Sequence, residues 1–281
     1  IGVAELGGRA QPRNDLALLE LASGSTCAAV FTQSAFCAAP VTVAKAHLSD
    51  SDARYWLINS GNANAGTGRQ GVADARATCD LVAALAGCES EQVLPFSTGV
   101  IGEFMDLGKF ERALPTAYAD LRVDNWEAGA RAIMTTDTVA KAFSARFEVG
   151  GVEYGVTGIA KGSGMIRPDM ATMLAFVATD ARVGLDTLND ILVAAVSGSF
   201  NRVTVDGDTS TNDACVLAAT GAAGGEDLAG DATAVAKLRA AVTEVCRWLA
   251  HALVRDGEGA TKFVTVEVDG GATDQECLDV A

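Results

Sequence analysis

The sequence predicts a layered α/β sandwich of the α+β kind, in which helices cover sheets. Short apolar runs of strand length and longer stretches with helical spacing follow one another without a strict βαβ rhythm, which favours layers over a doubly wound sheet. The chain has 281 residues, of which 49% are hydrophobic, so it is long enough to bury a sizeable core. The sequence contains no internal repeat and no linker-like segment.

The predicted strands are short apolar runs, and two of them form a hairpin. Apolar side chains alternate with other residues from position 143 to position 157, and Gly150-Gly151 supplies the turn between the two halves. Residues 93–96 form a strand that runs into Ser97-Thr98-Gly99. The other predicted strands are 27–32, 55–60, 174–178, 203–205, 216–219 and 263–268.

Helical spacing of apolar residues predicts helices over 72–86, 186–199 and 233–254. The third is the strongest, because five large apolar residues lie on one face. These residues are Leu238, Val242, Val245, Leu249 and Leu253. The Gly/Ala/Asp-rich stretch 221–232 that precedes this helix is predicted to be a loop.

Composition argues against several classes of function. The formal charge of −15 disfavours a nucleic-acid-binding face, which needs clustered lysines and arginines. The seven cysteines are scattered and form no Cys-x-x-Cys pair, which is typical of a reduced, cytoplasmic protein. His47 and His251 are the only histidines, which disfavours a zinc site built from histidines and a Ser-His-Asp triad. No apolar run approaches the length of a membrane span, and no signal peptide is visible.

Residues 161–176 carry the strongest functional signal. The small-residue junction Ala171-Thr172 lies between a Gly/Pro-containing loop and an apolar run. If the bond before Thr172 breaks, the new α-amine lies next to the hydroxyl of the same residue and can activate it as a nucleophile. The dipeptide alone carries no weight, because it recurs elsewhere in the chain. Examples of other copies are Ala77-Thr78, Ala219-Thr220, Ala232-Thr233 and Ala260-Thr261.

Two other segments carry weaker signals. Thr98 and Gly99 follow a strand, and a threonine hydroxyl beside a glycine N–H can stabilise a developing oxyanion, although a simple turn explains the same residues. Residues 134–138 read Met-Thr-Thr-Asp-Thr, which favours a helix N-cap over a pocket lining.

Two charged residues are candidates for binding a substrate. Glu258 lies between Gly257 and Gly259 after the long helix, where it can hold an ammonium group or be a solvated loop acid, and where either glycine can end the helix. Lys161 precedes the Thr172 loop and can bind a carboxylate or be an ordinary surface lysine.

Two patterns resemble other kinds of site and fail on their details. Residues 66–71 match Gly-x-Gly-x-x-Gly, but the preceding strand ends too early for a dinucleotide fingerprint, so a Gly/Asn-rich loop is the better interpretation. Residues 206–213 resemble the start of a calcium loop, but Thr211 and Leu217 stand where an EF-hand needs Gly and Glu. We therefore predict no metal site.

Six segments, taken together and in this order, resemble the ornithine acetyltransferase family, the glutamate N-acetyltransferases of arginine biosynthesis. They span nearly the whole chain. The segments are 59–66, 97–102, 134–138, 161–176, 200–213 and 256–262. The resemblance implies a sandwich fold shared with β-aminopeptidases and self-cleavage between Ala171 and Thr172. Residues 1–171 would form the α chain and residues 172–281 the β chain, as intertwined parts of one structural unit.

The resemblance also implies the reaction and its residues. Thr172 would take an acetyl group from N-acetylornithine and pass it to glutamate in a ping-pong reaction that releases ornithine. Thr98 and Gly99 would form the oxyanion hole. The implied substrate contacts are Thr138, Lys161, Thr172 and Glu258, with Thr136 as a neighbouring candidate for the same role. No metal or organic cofactor would be required. Whether acetyl-CoA also donates acetyl groups stays open. A cytoplasmic homo-oligomer of αβ units is expected, with no nucleic-acid or membrane partner.

The sequence departs from the family pattern at two points. Asp169 stands where the family motif commonly has Asn. Family members also continue through a segment with an Asp-Pro-Asn-Trp-Gly-Arg motif, which is absent here, so we expect a fragment, a chain completed by another chain, or a truncated product. Two alternatives stay open: an amidohydrolase or aminopeptidase that uses Thr172 with water as the acceptor, and an unprocessed, inactive relative.

Overall fold

The computed structural model describes residues 1–7, 13–167 and 173–281. Its strands belong to two sheets. The strands are β1 (Gly2–Ala4), β2 (Leu16–Glu20), β3 (Thr26–Phe31), β4 (Tyr55–Asn62), β5 (Val93–Val100), β6 (Lys141–Val149), β7 (Val152–Lys161), β8 (Leu174–Thr179) and β9 (Ala214–Ala219). The helices are α1 (Ala39–Asp50), α2 (Gly68–Ala86), α3 (Leu107–Ala119), α4 (Trp126–Ala132), α5 (Leu185–Ser197), α6 (Ala232–Arg255) and α7 (Asp274–Val280). None of the helices in these ranges is long and apolar enough to cross a membrane.

The described strands form two sheets that pack face to face between layers of helices. The first sheet has the order β1-β2-β4-β5, and the second has the order β3-β9-β8-β7-β6. Trp56 and Phe96 of the first sheet contact Phe176 of the second, so the inner core is the layer between the sheets. Helices α1, α2 and α3 cover the outer face of the first sheet, and α5 and α6 cover the outer face of the second. This architecture confirms the predicted layered sandwich.

The second sheet interleaves strands from both sides of position 172. Strands β8 and β9 run parallel to each other and lie between β3 and β7, which both precede that position in the chain. β3 pairs antiparallel with β9, and β7 pairs antiparallel with β8. The two regions on either side of the expected cleavage point therefore share one hydrogen-bonded sheet.

Two element boundaries follow directly from local sequence signals, the start of α6 and the turn between β6 and β7. The Asp231 carboxylate accepts hydrogen bonds from the backbone N–H groups of Thr233 and Ala234, at 2.8 and 3.3 Å, and so caps the start of α6. The predicted hairpin is confirmed as β6 and β7, joined through Gly150-Gly151. The other predicted helices and strands are confirmed with ends shifted by a few residues, apart from two segments.

The strands predicted at 203–205 and 263–268 are wrong. In the first segment, Thr204 and Val205 donate to the Ile166 carbonyl oxygen, from the hydroxyl at 2.8 Å and the backbone N–H at 2.9 Å, so their polar groups brace a loop. In the second, the alternating side chains have no sheet to join in the described chain, and Val264 is 72% exposed. Alternation indicates which side chains share a face, but a strand forms only beside a neighbour that accepts its hydrogen bonds.

Candidate active site

A cavity of about 640 Å³ opens where the ends of the two sheets meet. Strands β4, β5 and β7 end at it, and β9 begins beside it. The lining residues are Gly61, Ala63, Thr98, Gly99, Val100, Ile101, Thr135, Thr136, Lys161, Gly164, Met165, Asp206, Ser210, Thr211, Asn212 and Glu258. A second cavity, of about 540 Å³ and lined partly by Trp56, Arg122 and Trp126, contains none of the predicted site residues.

The first cavity brings together most of the residues that the sequence singles out. Thr98, Gly99, Lys161 and Glu258 all lie on its wall, although 160 positions separate the first from the last. Ala171 and Thr172 lie outside the described residues.

In the Met134–Thr138 segment, the threonines that face the cavity are not the one that the resemblance implies, which is Thr138. Thr135 and Thr136 line the wall. Thr138 does not, and its hydroxyl and backbone N–H both donate to the Asp256 carboxylate. The structure therefore places the neighbour Thr136 on the wall, whereas a direct contact from Thr138 stays a prediction.

Gly99 occupies a backbone position that no other residue fits. Its φ of +130° lies in the region that favours glycine. In the parallel pairing of β4 with β5 it lies opposite Gly61, and a Cβ at Gly99 would be 2.4 Å from the Gly61 carbonyl carbon. Thr98, the preceding residue, is 6% exposed, and its hydroxyl makes no hydrogen bond to another residue of the described chain. A hydroxyl of this kind can donate to a substrate oxygen.

Asparagine side chains hold these strand ends in place. The Asn212 amide donates from Nδ2 to the Ala63 carbonyl oxygen at 2.7 Å and to the Ser97 carbonyl oxygen at 2.9 Å. Asn59 donates to the Ser97 hydroxyl at 2.6 Å. The sequence shows Asn212 only as a member of a polar turn, because its partners are more than 100 positions away.

Lys161 is a buried cation at the last position of β7. It is 5% exposed, and burial lowers its pKa, while the carboxylates of Asp137 and Asp213 act in the opposite direction. Burial raises the pKa of Asp213 to about 8, against the hydrogen bond from the Ser210 hydroxyl and the attraction of Lys161. One oxygen of Asp213, Oδ2, has no hydrogen-bond partner in the described chain. No sequence pattern singled out Asp213 by itself.

The segment that follows Lys161 is fixed by hydrogen bonds from neighbouring loops. The Ser163 hydroxyl lies 2.7 Å from the Thr136 hydroxyl, and the Ser163 carbonyl oxygen accepts from the Glu258 backbone N–H at 2.6 Å. Gly164 leaves room for the Glu258 side chain, since a Cβ there would be 3.2 Å from its carboxylate. Glu258 is therefore held against this segment.

Asp206, the first residue of the pattern that resembles a calcium loop, accepts hydrogen bonds from backbone N–H groups. The Asp206 carboxylate accepts from the Met165 N–H at 2.5 Å and from the Ile166 N–H at 3.0 Å. Met165 has a φ of +56°, a conformation that costs a non-glycine residue energy. Asp206 therefore fixes a strained turn in the segment that leads towards Arg167.

The Gly-rich segment at 66–71 comprises the end of a loop and the first turn of helix α2, and side chains from within and just before it brace it. The Thr67 hydroxyl donates to Asn64 Oδ1 at 2.7 Å, and Asn64 Nδ2 donates to the Gly71 carbonyl oxygen at 2.8 Å. A Cβ at Gly71 would lie 1.8 Å from the Thr67 hydroxyl oxygen, so this glycine lets the first turn of α2 pack closely against Thr67. The prediction of a structural loop is therefore confirmed only for residues 66 and 67, because helix α2 begins at Gly68.

Comparison with known proteins decides the family. The ArgJ family model matches residues 1–281. This chain belongs to the ArgJ family. It is 57% identical over 264 residues to the arginine biosynthesis bifunctional protein ArgJ of Methylococcus capsulatus. The aligned region covers 94% of this chain and 64% of the relative. It is 53% identical over 281 residues to the protein of the same name from Pseudomonas fluorescens, covering 100% of this chain and 69% of the relative.

This ArgJ-family chain spans about two thirds of the length of these curated relatives. Among solved structures it resembles the L-aminopeptidase D-Ala-esterase/amidase of Ochrobactrum anthropi, described as a variant of the Ntn hydrolase fold. The TM-score is 0.51 at 12% identity, over 91% of this chain and 83% of that one. At this identity the likeness concerns the fold alone, and it agrees with the predicted layered sandwich.

Proposed function

We propose that this ArgJ-family chain cleaves itself between Ala171 and Thr172 and then acts as a glutamate N-acetyltransferase that uses N-acetylornithine as the donor. One observation carries the proposal. A single cavity presents a hydroxyl and strand-end glycine pair at Thr98 and Gly99, a buried cation at Lys161 and an acid at Glu258. Membership of the ArgJ family and the names of its relatives support the same activity.

The cavity residues match the groups of the donor. N-acetylornithine carries an α-carboxylate and a side-chain ammonium, which would pair with Lys161 and Glu258 respectively. The acetyl carbonyl would lie at Thr98 and Gly99, where donors can stabilise the oxyanion of a tetrahedral intermediate. Thr135 and Thr136 are additional wall hydroxyls near these groups.

The reaction proceeds in two balanced steps. The Thr172 hydroxyl oxygen attacks the acetyl carbonyl carbon while its own α-amine takes the hydroxyl proton. The C–N bond of the donor breaks, the departing nitrogen takes that proton, and ornithine leaves an acetyl ester on Thr172. The neutral α-amine of glutamate then attacks the ester carbonyl carbon, and the C–O bond to Thr172 breaks. The proton lost by the attacking nitrogen passes through the Thr172 α-amine to the Thr172 oxygen, so N-acetylglutamate leaves and the hydroxyl is regenerated. Acetyl-CoA is a candidate second donor for the same ester.

The chain is expected to work in a reducing compartment such as the cytoplasm. All seven cysteines are free, and Cys27, Cys79, Cys215 and Cys246 are buried. Cysteines used as small apolar residues are typical of such compartments. Assembly of αβ units into a homo-oligomer stays a prediction.

Intact-mass spectrometry of the protein beside its Thr172→Ala variant tests the first half of the proposal. We expect two fragments from the unmodified chain, the second beginning at Thr172, and one uncut chain from the variant. Cleavage of the variant at the same bond would rule out Thr172 as the nucleophile. An uncut unmodified chain would contradict self-processing by these 281 residues.

Ornithine release from N-acetylornithine, measured with and without glutamate, tests the second half. Transfer predicts N-acetylglutamate in amounts equal to the ornithine released over many turnovers, and little ornithine without the acceptor. Continued release of ornithine and acetate without glutamate would favour the hydrolase alternative. Replacing the donor by acetyl-CoA in the same assay tests the second donor.

A further inference from the structure

Lys141 is an almost fully buried ammonium that holds two carboxylates close to the cavity. Its side chain is 1% exposed, and its Nζ lies 2.6 Å from Asp137 Oδ1 and 2.6 Å from Asp256 Oδ2. The two carboxylates are themselves 0% and 6% exposed. Burying three charged groups is costly unless their geometry is good and their remaining hydrogen bonds are made.

The remaining hydrogen bonds are made to the backbone of the surrounding loops. Asp137 accepts from the Gly162 N–H at 2.7 Å and from the Thr135 N–H at 3.1 Å. Asp256 accepts from the Thr138 N–H at 3.0 Å and also from the Thr138 hydroxyl. Lys141 gives a further hydrogen bond to the Val139 carbonyl oxygen at 3.3 Å.

These partners belong to three segments that each supply a wall residue of the cavity. Asp137 fixes the segment of Thr135 and Thr136, and it fixes Gly162, which follows Lys161 directly. Asp256 lies at the end of α6, two positions before Glu258. The ammonium of Lys141 is therefore the point at which the threonine wall, the buried cation and the acid are tied together.

The network also acts on the charge of Lys161. The Asp137 carboxylate favours the charged form of Lys161, and the Lys141 ammonium opposes it. Lys141 does not line the cavity, so its effect on a substrate passes through the residues that it holds.

We propose that Lys141 is a positioning residue for acetyl transfer, which through Asp137 and Asp256 sets the relative places of Thr136, Lys161 and Glu258. The proposal rests on the proposed function, because it assigns these wall residues to binding the donor and the acceptor. No sequence pattern indicates Lys141, and its two partners appear there only as members of longer segments, Asp137 in 134–138 and Asp256 in 256–262.

The test compares Lys141→Met, Lys141→Arg and a control, Arg146→Met. Arg146 lies on the same strand, and its 2.9 Å ion pair with Glu153 is exposed, at 74% and 65%. We expect Lys141→Met to raise KM for N-acetylornithine and lower kcat, each by about tenfold or more, because a buried carboxylate pair loses its cation. Lys141→Arg should recover part of the loss, and Arg146→Met should leave both constants unchanged.

A folded and cleaved Lys141→Met enzyme with unchanged kcat and KM would overturn the inference. If this variant does not fold, Asp256→Asn takes its place, since it keeps the shape and removes one of the two carboxylates. An Asp256→Asn enzyme with unchanged constants would overturn the inference equally.

Calorimetric titration with ornithine separates this inference from the proposed function. If the unmodified enzyme transfers no acetyl group but binds ornithine, the proposed reaction fails, and a weaker affinity in Lys141→Met would still support positioning. Equal affinities in the two proteins, or no binding by the unmodified enzyme, would overturn the inference.

Discussion

The side-chain amide of Asn212 donates to the carbonyl oxygen of Ser97 at 2.9 Å and thereby joins the two sheets at the wall of the cavity. Its second hydrogen bond, to Ala63 at 2.7 Å, extends the junction to the loop after β4. A side chain that is 7% exposed cannot exchange these partners for water at no cost. The cavity wall is therefore held by an amide from the loop that leads into β9 of the opposite sheet.

Replacing this amide should weaken the fold and the site together. In Asn212→Asp a carboxylate would face two carbonyl oxygens, so we expect the free energy of unfolding to fall by about 1–3 kcal/mol or more. Urea denaturation measures the change. The exposed Asn189→Asp serves as the control, and we expect it to change stability by less than about 0.5 kcal/mol. Equal stabilities of the two variants would contradict the role given to Asn212.

Gly99→Ala should impair catalysis more than a change at another glycine with positive φ. The new Cβ would meet the Gly61 carbonyl carbon at 2.4 Å, so β5 must shift at the oxyanion-binding position. We expect kcat to fall by about 10²-fold or more. Gly102→Ala is the matched control, because Gly102 also has a positive φ, of +86°, but a Cβ there meets nothing within 4 Å. Similar kcat values for both variants would contradict the prediction.

Asp213 should make stability depend on pH in an unusual direction. Burial raises its pKa from the ordinary 3.8 to about 8 in the folded state. Its contribution is therefore fully present below pH 3.8 and is lost as the pH rises through about 8, since folding favours the protonated form. Lys161 is the charged group that opposes this shift. The substitution Asp213→Asn keeps the shape of the protonated acid and removes its titration.

Urea unfolding of Asp213→Asn and the unmodified protein at several pH values checks that expectation. The stability of the variant relative to the unmodified protein should increase as the pH rises from 3.8 towards about 8. A constant difference between the two curves would show that Asp213 titrates alike in the folded and unfolded chains.

Asp206 should influence how fast the chain cleaves itself. Its two carboxylate oxygens hold the N–H groups of Met165 and Ile166, in the segment that leads to the expected cleavage junction. Asp206→Asn removes one acceptor and the charge, so we expect cleavage to slow by about tenfold, the effect of losing a charge-assisted hydrogen bond. Intact-mass time courses measure the uncut fraction. Asp208→Asn is the control on the same loop, and an equal rate in both variants would rule out the effect.

The sequence predicts those parts of the molecule that depend on neighbours in the chain. Periodicity predicted the β6–β7 hairpin and helix α6, and the order of short motifs singled out four residues of the cavity wall, Thr98, Gly99, Lys161 and Glu258. It did not indicate Lys141, because its Asp256 partner lies 115 positions away. The same limit applies to the segment 263–268, whose alternation carries no information about a neighbouring strand.

Asp137 illustrates why a local interpretation can fail in detail. Within Met134–Thr138 the sequence favoured a helix cap, but the structure turns the Asp137 carboxylate towards Lys141 and Gly162. Thr138 is drawn to Asp256 by the same network, whereas Thr136 contacts Ser163. The choice between neighbouring threonines depends on a buried ion cluster that folding assembles from distant segments.

The interleaved order of the second sheet limits how the proposed two-chain enzyme can be made. Strands β8 and β9 are inserted between β3 and β7, with hydrogen bonds along both sides. A separately synthesised second chain would have to open a finished sheet and thread two strands into it. The two pieces are therefore best made as one polypeptide that folds first and is cut afterwards, and splitting the gene at this point would remove the order of assembly on which the sheet depends.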